Sequence, residues 1–514
     1  MESSLLEALL KSYLVDSMKN NKIISKSKYL AGLQCPKYLW FLFNRKESIP
    51  EPDAATQYIF DQGHLVGEYA KKLFPCGIDV EHEAGFEKGL RMSAQLLTKR
   101  KPLFEAGFLA GGIYARADIL NPAGSDEWDI IEVKSSTGVK DINIEDVAFQ
   151  RYCYEKAGLK IRKCYLTYIN REYVRNGDIN PERLFTTSDI TEEAAEFSSG
   201  IRERIEEMFA VISSSDCPDI KIGRHCSKPY VCPLKDECWS FLPGNNVFDL
   251  YGAKNKAAEL FGNGITLIKD IPEGYDLSFK QKIQLECEKT LKPRIDRKAI
   301  FSFLSKLVYP LYFLDFETFS EAIPCYDGTR PYQRIPFQFS LHVLDSMNGT
   351  GKHYPFLAEG RGDPRGDLLS SLKDKLGSRG SIIVYCESFE KGVLNELAES
   401  FSQYSKWVNS IIPRIVDLYE PFGKFYYYNS SQKGSASVKS VLPAITGISY
   451  DGLDISNGMN ASISYLYITR STGSSKTIAA PEEINKIRGS LEDYCKLDTE
   501  GLIYILRKLK KLTS

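Results

Sequence analysis

Residues 114–136 read YARADILNPAGSDEWDIIEVKSS. Two short runs of strand character flank a short loop, the pattern of neighbouring strands in a sheet. Residues two apart on a strand face the same way, so Glu132 and Lys134 project together, with Asp118 on the adjoining strand. Asp118 and Glu132 would hold a divalent ion, Mg2+ or Mn2+, while Lys134 orients or helps deprotonate an attacking water and offsets phosphate charge.

Working outward, an amphipathic run near residues 146–157 places Gln150 and Tyr154 four apart, hence on one helix face beside that strand pair. Glu68 lies upstream within GHLVGEYA on an earlier helix and offers a further acid. Another strand is expected over 163–169. Downstream, HCSKPYVCPLKDECW carries Cys226, Cys232 and Cys238 at five-residue gaps with Pro229 and Pro233 between them, and Cys35 stands far upstream in LAGLQCPKYLW. Three thiols in a turn-rich segment plus one distant thiol can form a four-thiolate site that staples the start of a domain to its end. Structural zinc favours closer Cys pairs, so a 4Fe-4S cluster leads and zinc is the competing ligand.

Asp118, Glu132-x-Lys134 and Gln150-x3-Tyr154, bracketed by Cys35 and the Cys226, Cys232, Cys238 triplet, resemble the PD-(D/E)xK nuclease superfamily, and within it the RecB-like iron-sulfur nucleases of CRISPR adaptation and helicase-nuclease complexes. The resemblance covers roughly residues 23–242. It implies a restriction-endonuclease-like fold, metal-dependent cleavage of DNA, single-stranded or frayed at its ends, and a structural cluster. Gly67 stands where that family usually has a metal-binding histidine, with Glu68 next to it and His64 three residues before.

A second acidic pattern lies further on. FLDFETF sets Asp315 and Glu317 on one side of a buried-looking strand, where paired acids repel unless a cation lies between them. VYCESFEKGVL offers Glu390, with Glu387 as neighbour, and EDYCKLDTEGL sets Tyr494 and Asp498 four apart on a helix face. Carboxylates converging from two strands and a helix can clamp two metal ions that activate water and stabilise the leaving oxygen, with Tyr494 positioning or deprotonating that water. In this order the residues resemble DnaQ-like DEDDy 3′-5′ exonucleases on an RNase H-like fold, over about residues 309–511. The resemblance makes Asp315, Glu317, Glu390 and Asp498 the metal ligands and Tyr494 the catalytic tyrosine. Cys386 and Glu390 depart from the usual Asn and Asp of the second motif. The whole chain is also similar to archaeal and bacterial two-nuclease fusions, through HYPFLAEGRGDPRGDLL and GSASVKSVLPAI, where Lys439 offers a phosphate contact.

Length and composition agree with two such domains. The chain has 514 residues, 43% hydrophobic, 26% charged and 12% aromatic, which excludes global disorder and a disulfide-stapled miniprotein. Sixty-six Lys and Arg balance 67 Asp and Glu, so nucleic acid would be held by local basic surfaces and metal ions rather than bulk charge. The longest apolar stretch, residues 307–314, is broken by Pro310 and far short of the roughly 20 residues that span a bilayer. No secretion signal is visible, so twelve Cys point to a reducing cytosol and a cytoplasmic protein.

The expected organisation is an α/β one: an amphipathic helix over 1–22, a nuclease domain over 23–245, a helical connector over 246–306 and an exonuclease domain over 307–514. KFYYYNSSQKGSASVK interleaves aromatics with cations and could stack bases, or be an exposed tyrosine-rich edge strand. The connector text GAKNKAAELFGNGITLIKDI is similar to helical modules that grip DNA backbone. His82, His225, His342 and His353 lack partners at ligand spacing, and no GxxxxGK[ST] phosphate loop occurs. The functional expectation is a bifunctional metal-dependent DNA nuclease in repair or CRISPR-type defence, with a helicase or other repair or defence proteins as partners and no membrane. The alternatives are a nucleic-acid-binding scaffold with inactive sites, and an RNA exonuclease.

Overall fold

The computed structural model describes residues 22–80, 85–469 and 479–514. The helix expected over 1–22 and His82 lie outside them, Lys22 excepted. The chain is mixed α/β and divides into two compact units, Met1–Ser240 with Glu321–Tyr332, and Phe241–Ser320 with Gln333–Ser514. The connector expected over 246–306 therefore groups with the second unit rather than standing apart. Residues 321–332 join the first unit for a packing reason. Ala322 and Ile323 are buried against Val66, Ala70, Ile169 and Leu184, and Arg175 donates to the carbonyls of Pro324 and Cys325 at 3.0 and 2.9 Å.

In the first unit the elements that matter are α1 (Lys26–Gln34), α2 (Ala54–Lys71), β1 (Leu103–Ala110), β2 (Ile113–Ala123), β3 (Glu127–Lys134), α3 (Asp141–Lys156), β4 (Lys160–Ile169) and β5 (Phe185–Asp189). The strands pair in chain order β1 to β5, antiparallel except for the parallel β3–β4 pair, and Ile24–Ser25 adds in parallel to β2. The strands expected near residues 112–120, 128–133 and 163–169 are thus present, slightly extended. α3 covers this sheet, and Val147, Phe149, Cys153 and Tyr154 enter the core with Phe108, Ala115 and Leu166. Ser25 caps α1 by accepting from the Lys28 amide.

The second unit continues with β6 (Leu311–Phe319), β7 (Ile335–Leu344), β8 (Lys352–Leu357), β9 (Ile382–Val384), α4 (Glu387–Ser400), β10 (Ile415–Asp417), α5 (Val438–Thr446), α6 (Gly458–Thr469) and α7 (Pro481–Thr513). Sheet order is β8-β7-β6-β9-β10, antiparallel through β6 and parallel beyond it. β6 is central, which explains its near-continuous apolar text. α7 begins at Pro481 with Glu482 and Glu483 and ends with Lys510 and Lys511, matching charge to the helix dipole. Its Leu491, Cys495, Leu502, Ile505, Leu506 and Leu509 recur at helical spacing and are buried. Gln338 Nε2 on β7 donates to the Leu491 carbonyl at 2.9 Å and fixes the crossing.

Neither form of the aromatic-cation reading holds. Tyr427 and Tyr428 pair with Arg294–Ile295 as a two-stranded ribbon and are buried, Tyr428 stacked on Phe425 at 4.8 Å, so they are core rather than a base-stacking surface or an exposed edge. His342 and His353 stack on each other at 4.3 Å. They bond to Thr499 and Ser340, which makes them structural. Among the described residues no helix is long and apolar enough to cross a membrane.

Candidate functional site

The second unit gathers its acids. β6 presents Asp315 and Glu317 on one side, and α7 brings Asp498 against them, so that one oxygen of each lies within 4.8 Å of the others. Among the described residues no other three His, Cys, Asp or Glu ligand atoms come so close. Glu390 sits in the first turn of α4, 1% exposed, with Oε2 buried and lacking a hydrogen-bond partner. Its helix start is fixed by Asp417, which accepts from the amides of Cys386 and Glu387 at 2.9 and 3.1 Å. Cys386 turns the chain there in the left-handed region at φ 76°.

Electrostatics follow from burial without a counter-ion. Burial and then the Asp498 charge push Glu317 up to about 8. Burial, with Asp417 adding, pushes Glu390 to about 8. Asp315 is pushed well above the carboxylate range by burial and its acidic neighbours, and burial takes Asp498 to about 6. Among the described residues none of the four forms an ion pair. Buried like charges of this kind are poorly tolerated unless protonated or shared by a cation.

Three further residues belong here. Tyr450 donates its hydroxyl to Asp498 Oδ1 at 2.6 Å. Lys439, on α5, sets its Nζ 5.6 and 5.4 Å from the ring centres of Tyr450 and Tyr494, and its charge draws Glu317 and Asp498 downward. Gly458 opens α6 beside Glu317, where a Cβ would stand 3.3 Å from Oε2. Tyr494 is 4% exposed and its hydroxyl is pushed far up by burial and by the charge of Asp498. Asp315, Glu317 and Asp498 cluster as expected with Tyr494 bonded to Asp498, while Glu390 stands outside that cluster and reaches Asp315 and Glu317 through its charge. Tyr450 had no signal in the sequence, because only the fold brings ISYDG beside α7.

The first unit is built differently. Glu132 is buried, and its Oε1 accepts from Lys134 at 2.6 Å and from Lys26 at 2.8 Å, while Oε2 accepts from Gln150 at 2.8 Å. Asp146, on α3 one turn before Gln150, accepts from Lys134 at 2.6 Å and Gln150 at 3.1 Å, with Lys26 at 3.6 Å. Asp118 Oδ2 accepts from the Val133 amide at 2.6 Å. Burial and the nearby Glu132 charge raise Asp118 to about 7. Glu132 is held below the usual range by Lys134 and then Lys26, although burial opposes this. Asp118, Glu132, Lys134 and Gln150 thus meet as expected, joined by Lys26 and Asp146, which pattern alone had not singled out.

Two expected members do not join. Glu68 is two-thirds exposed and paired with Lys71 at 2.8 Å. The inward face of α2 carries Val66 and Ala70, and a residue two positions from Val66 points about 200° away. Tyr154 shares the Gln150 face but reaches past the acids. Its hydroxyl donates to the Ala106 carbonyl and accepts from the Ala117 amide, latching β1 to β2 one residue before Asp118. It shapes the scaffold under the centre rather than lining it.

The four expected cysteines are near enough for each other's charge to be felt at Cys35 and Cys232. Cys35 caps α1, Cys226 lies in a tight turn and Cys238 on the short helix Lys235–Trp239. Cys232 and Cys238 pack with Trp40, Phe41 and Leu234. Burial pushes the Cys232 thiol to about 11, with Cys35, Cys226 and Cys238 adding. All four thiols are free of disulfides. Tetrahedral zinc with bonds near 2.3 Å sets sulfurs about 3.8 Å apart. No three of these sulfurs lie within 4.8 Å of one another. Gln34 Nε2 ties α1 to the cysteine loop through the carbonyls of His225 and Tyr230, both at 2.8 Å.

Residues 312–437 match a family model described as a domain of unknown function (DUF2779). That span holds Asp315, Glu317 and Glu390 but stops before Lys439, Tyr450, Tyr494 and Asp498. The chain is 29% identical over 172 residues to the uncharacterized protein MG366 homolog of Mycoplasma pneumoniae, covering 30% of this chain and 26% of that protein. It is 26% identical over 237 residues to the uncharacterized protein UU173 of Ureaplasma parvum, covering 42% and 33%. The chain therefore spans about a quarter to a third of these curated relatives. Among solved structures, the crystal structure of SSO0001 is 16% identical and covers 47% of this chain and 97% of that one, with a TM-score of 0.23.

Proposed function

We propose that this chain is a bifunctional, metal-dependent DNA nuclease acting on single-stranded or frayed ends. The observation that carries the reading is the second centre: Asp315, Glu317 and Asp498 clustered from β6 and α7, with buried Glu390 on α4 nearby, none of them paired by a cationic side chain among the described residues. In this reading the second unit is a DnaQ-like exonuclease on an RNase H-like fold, and the first is a PD-(D/E)xK nuclease. Asp315, Glu317, Glu390 and Asp498 would hold Mg2+ or Mn2+, which when bound supplies charge stabilisation for phosphodiester hydrolysis. Tyr494 orients the attacking water beside Asp498. Tyr450 locks the Asp498 carboxylate in one orientation, and Lys439 meets a substrate phosphate at the rim. In the first centre Glu132 and Asp118 are the acids and Lys134 the positioning amine. A 4Fe-4S cluster on Cys35, Cys226, Cys232 and Cys238 would serve structure. Repair or defence in the cytoplasm, beside a helicase, is the setting this chemistry suits.

The test is a labelled single strand incubated with Mg2+ or Mn2+. Asp315→Asn abolishes stepwise release of 3′ nucleotides, and Glu132→Gln removes a separate product class. Absence of cleavage with every metal identifies a binding scaffold instead, and preference for RNA over DNA in competition identifies an RNA exonuclease.

A further inference from the structure

The two acidic centres differ in how their charge is already balanced. At the second, Asp315, Glu317, Glu390 and Asp498 have no ammonium or guanidinium within 4 Å among the described residues. At the first, Lys26 and Lys134 pair with Glu132 and Asp146. Both oxygens of Glu132 accept N–H donors. So do both of Asp146, Oδ2 from Lys134 and Oδ1 from Gln150. A divalent ion asks for about six oxygen ligands, and the Lys26 ammonium, 2.8 Å from Glu132 Oε1 and 3.6 Å from Asp146 Oδ1, already takes a cation's place between those two acids.

Lys26 is built into this position. The strand Ile24–Ser25 pairs with Ile113 and Tyr114 on β2, which delivers Lys26 beside the acids. Tyr29, one turn on, stacks on Phe149 of α3 at 4.5 Å, next to Gln150 and one turn from Asp146. At the far end Gln34 is held by two carbonyls of the cysteine loop. A nine-residue helix pinned at both ends thus spans from the thiols to the carboxylates.

We propose that Lys26 is a resident counter-ion of the first centre, so that a divalent ion enters there only when the Lys26 ammonium withdraws, while the second centre fills without such a cost. This deepens the nuclease reading of the first centre and rests on it. Lys26 is a positioning residue: it holds Glu132 and Asp146 in register, and it makes ion loading at this centre depend on the seating of α1 against the cysteine loop.

The test measures Mn2+ binding by calorimetry on the full chain, with the second centre silenced by Glu317→Gln and Asp498→Asn. Lys26→Met should tighten Mn2+ at the first centre tenfold or more, Lys26→Arg should not, and adding Glu132→Gln should remove the gained site. Gln34→Ala, which keeps Lys26 but frees the end of its helix, should tighten binding severalfold and serves if Lys26→Met fails to fold. Mn2+ binding unchanged in the folded Lys26→Met protein, or unchanged in Gln34→Ala where that variant stands in, overturns the proposal. Because the readout is ion binding, a chain that cleaves no substrate still decides the question, so the proposal and the nuclease reading fail separately.

Discussion

Glu317→Gln isolates the electrostatic cost of the second centre. With one oxygen of each acid within 4.8 Å of the others, two ionised carboxylates interact by about 3.5 kcal/mol at an effective dielectric of 20. Glu317 has a folded value of about 8 against an ordinary 4.5. A raised value means the folded chain holds the proton more tightly than the unfolded chain. The associated stability is therefore complete below about pH 4.5 and drains away as pH rises through 8. Glutamine carries no charge at any pH, so it escapes that loss. In EDTA at pH 8.5 the transition of the second unit should rise by roughly 7–14 °C in Glu317→Gln, taking one relieved pair and the usual 2–4 °C per kcal/mol for units of this size. At pH 5 the two proteins should melt together. Mn2+ at about a hundred times its dissociation constant should then restore about 2.7 kcal/mol to the wild type and little to the variant. Differential scanning calorimetry across pH 5–8.5 reads all of this. Identical melting of the two proteins at pH 8.5, or equal stabilisation of both by Mn2+, refutes the claim that these acids form one uncompensated group.

Other residues give independent outcomes. Tyr154→Phe leaves the Ala117 amide buried without its acceptor and should cost the first unit about 1–3 kcal/mol in a urea melt; unchanged stability would contradict its latching role. Tyr450→Phe frees Asp498 and should weaken Mn2+ binding at the second centre by about 10- to 100-fold, as loss of an orienting partner does elsewhere; unaltered affinity would show that Asp498 needs no anchor. Anaerobically purified chain should be brown with broad visible absorption, and Cys232→Ser should bleach it. A colourless protein carrying stoichiometric zinc would refute the iron assignment.

Much of the second centre was legible because its ligands obey local periodicities. Asp315 and Glu317 keep the two-residue repeat of a strand, and Tyr494 and Asp498 the four-residue repeat of a helix, so each pair announces its shared face without knowledge of the fold. The apolar text of residues 311–314, resumed at Phe316 after Asp315, marked a buried strand, and β6 is the middle of its sheet. Glu132 and Lys134 were legible for the same reason. Tyr154 shows the limit of that logic: sharing a face with Gln150 fixes direction but not depth, and the longer tyrosine spends its hydroxyl on the β1–β2 ladder beyond the acids.

What the pattern left hidden are the residues whose role depends on distance through space. Asp146 sits in an ordinary-looking amphipathic run, and its carboxylate matters only because α3 crosses β3 where Lys134 emerges. Lys26 precedes Asp118 by about ninety residues and is brought beside Glu132 by the pairing of Ile24 with Ile113. Glu68 is the converse case, an acid in a promising stretch that the hydrophobic face of its own helix turns outward. The rule these cases share is energetic. A charged side chain becomes part of a buried centre when the apolar neighbours on its element are drawn inward beside it, and the charge is then tolerated because an opposite charge, a hydrogen-bond donor or a proton meets it. At the first centre lysines supply that partner. At the second, protons do so in the metal-free chain, which is why its acids are raised together and why the same acids should release those protons when a divalent cation takes their place.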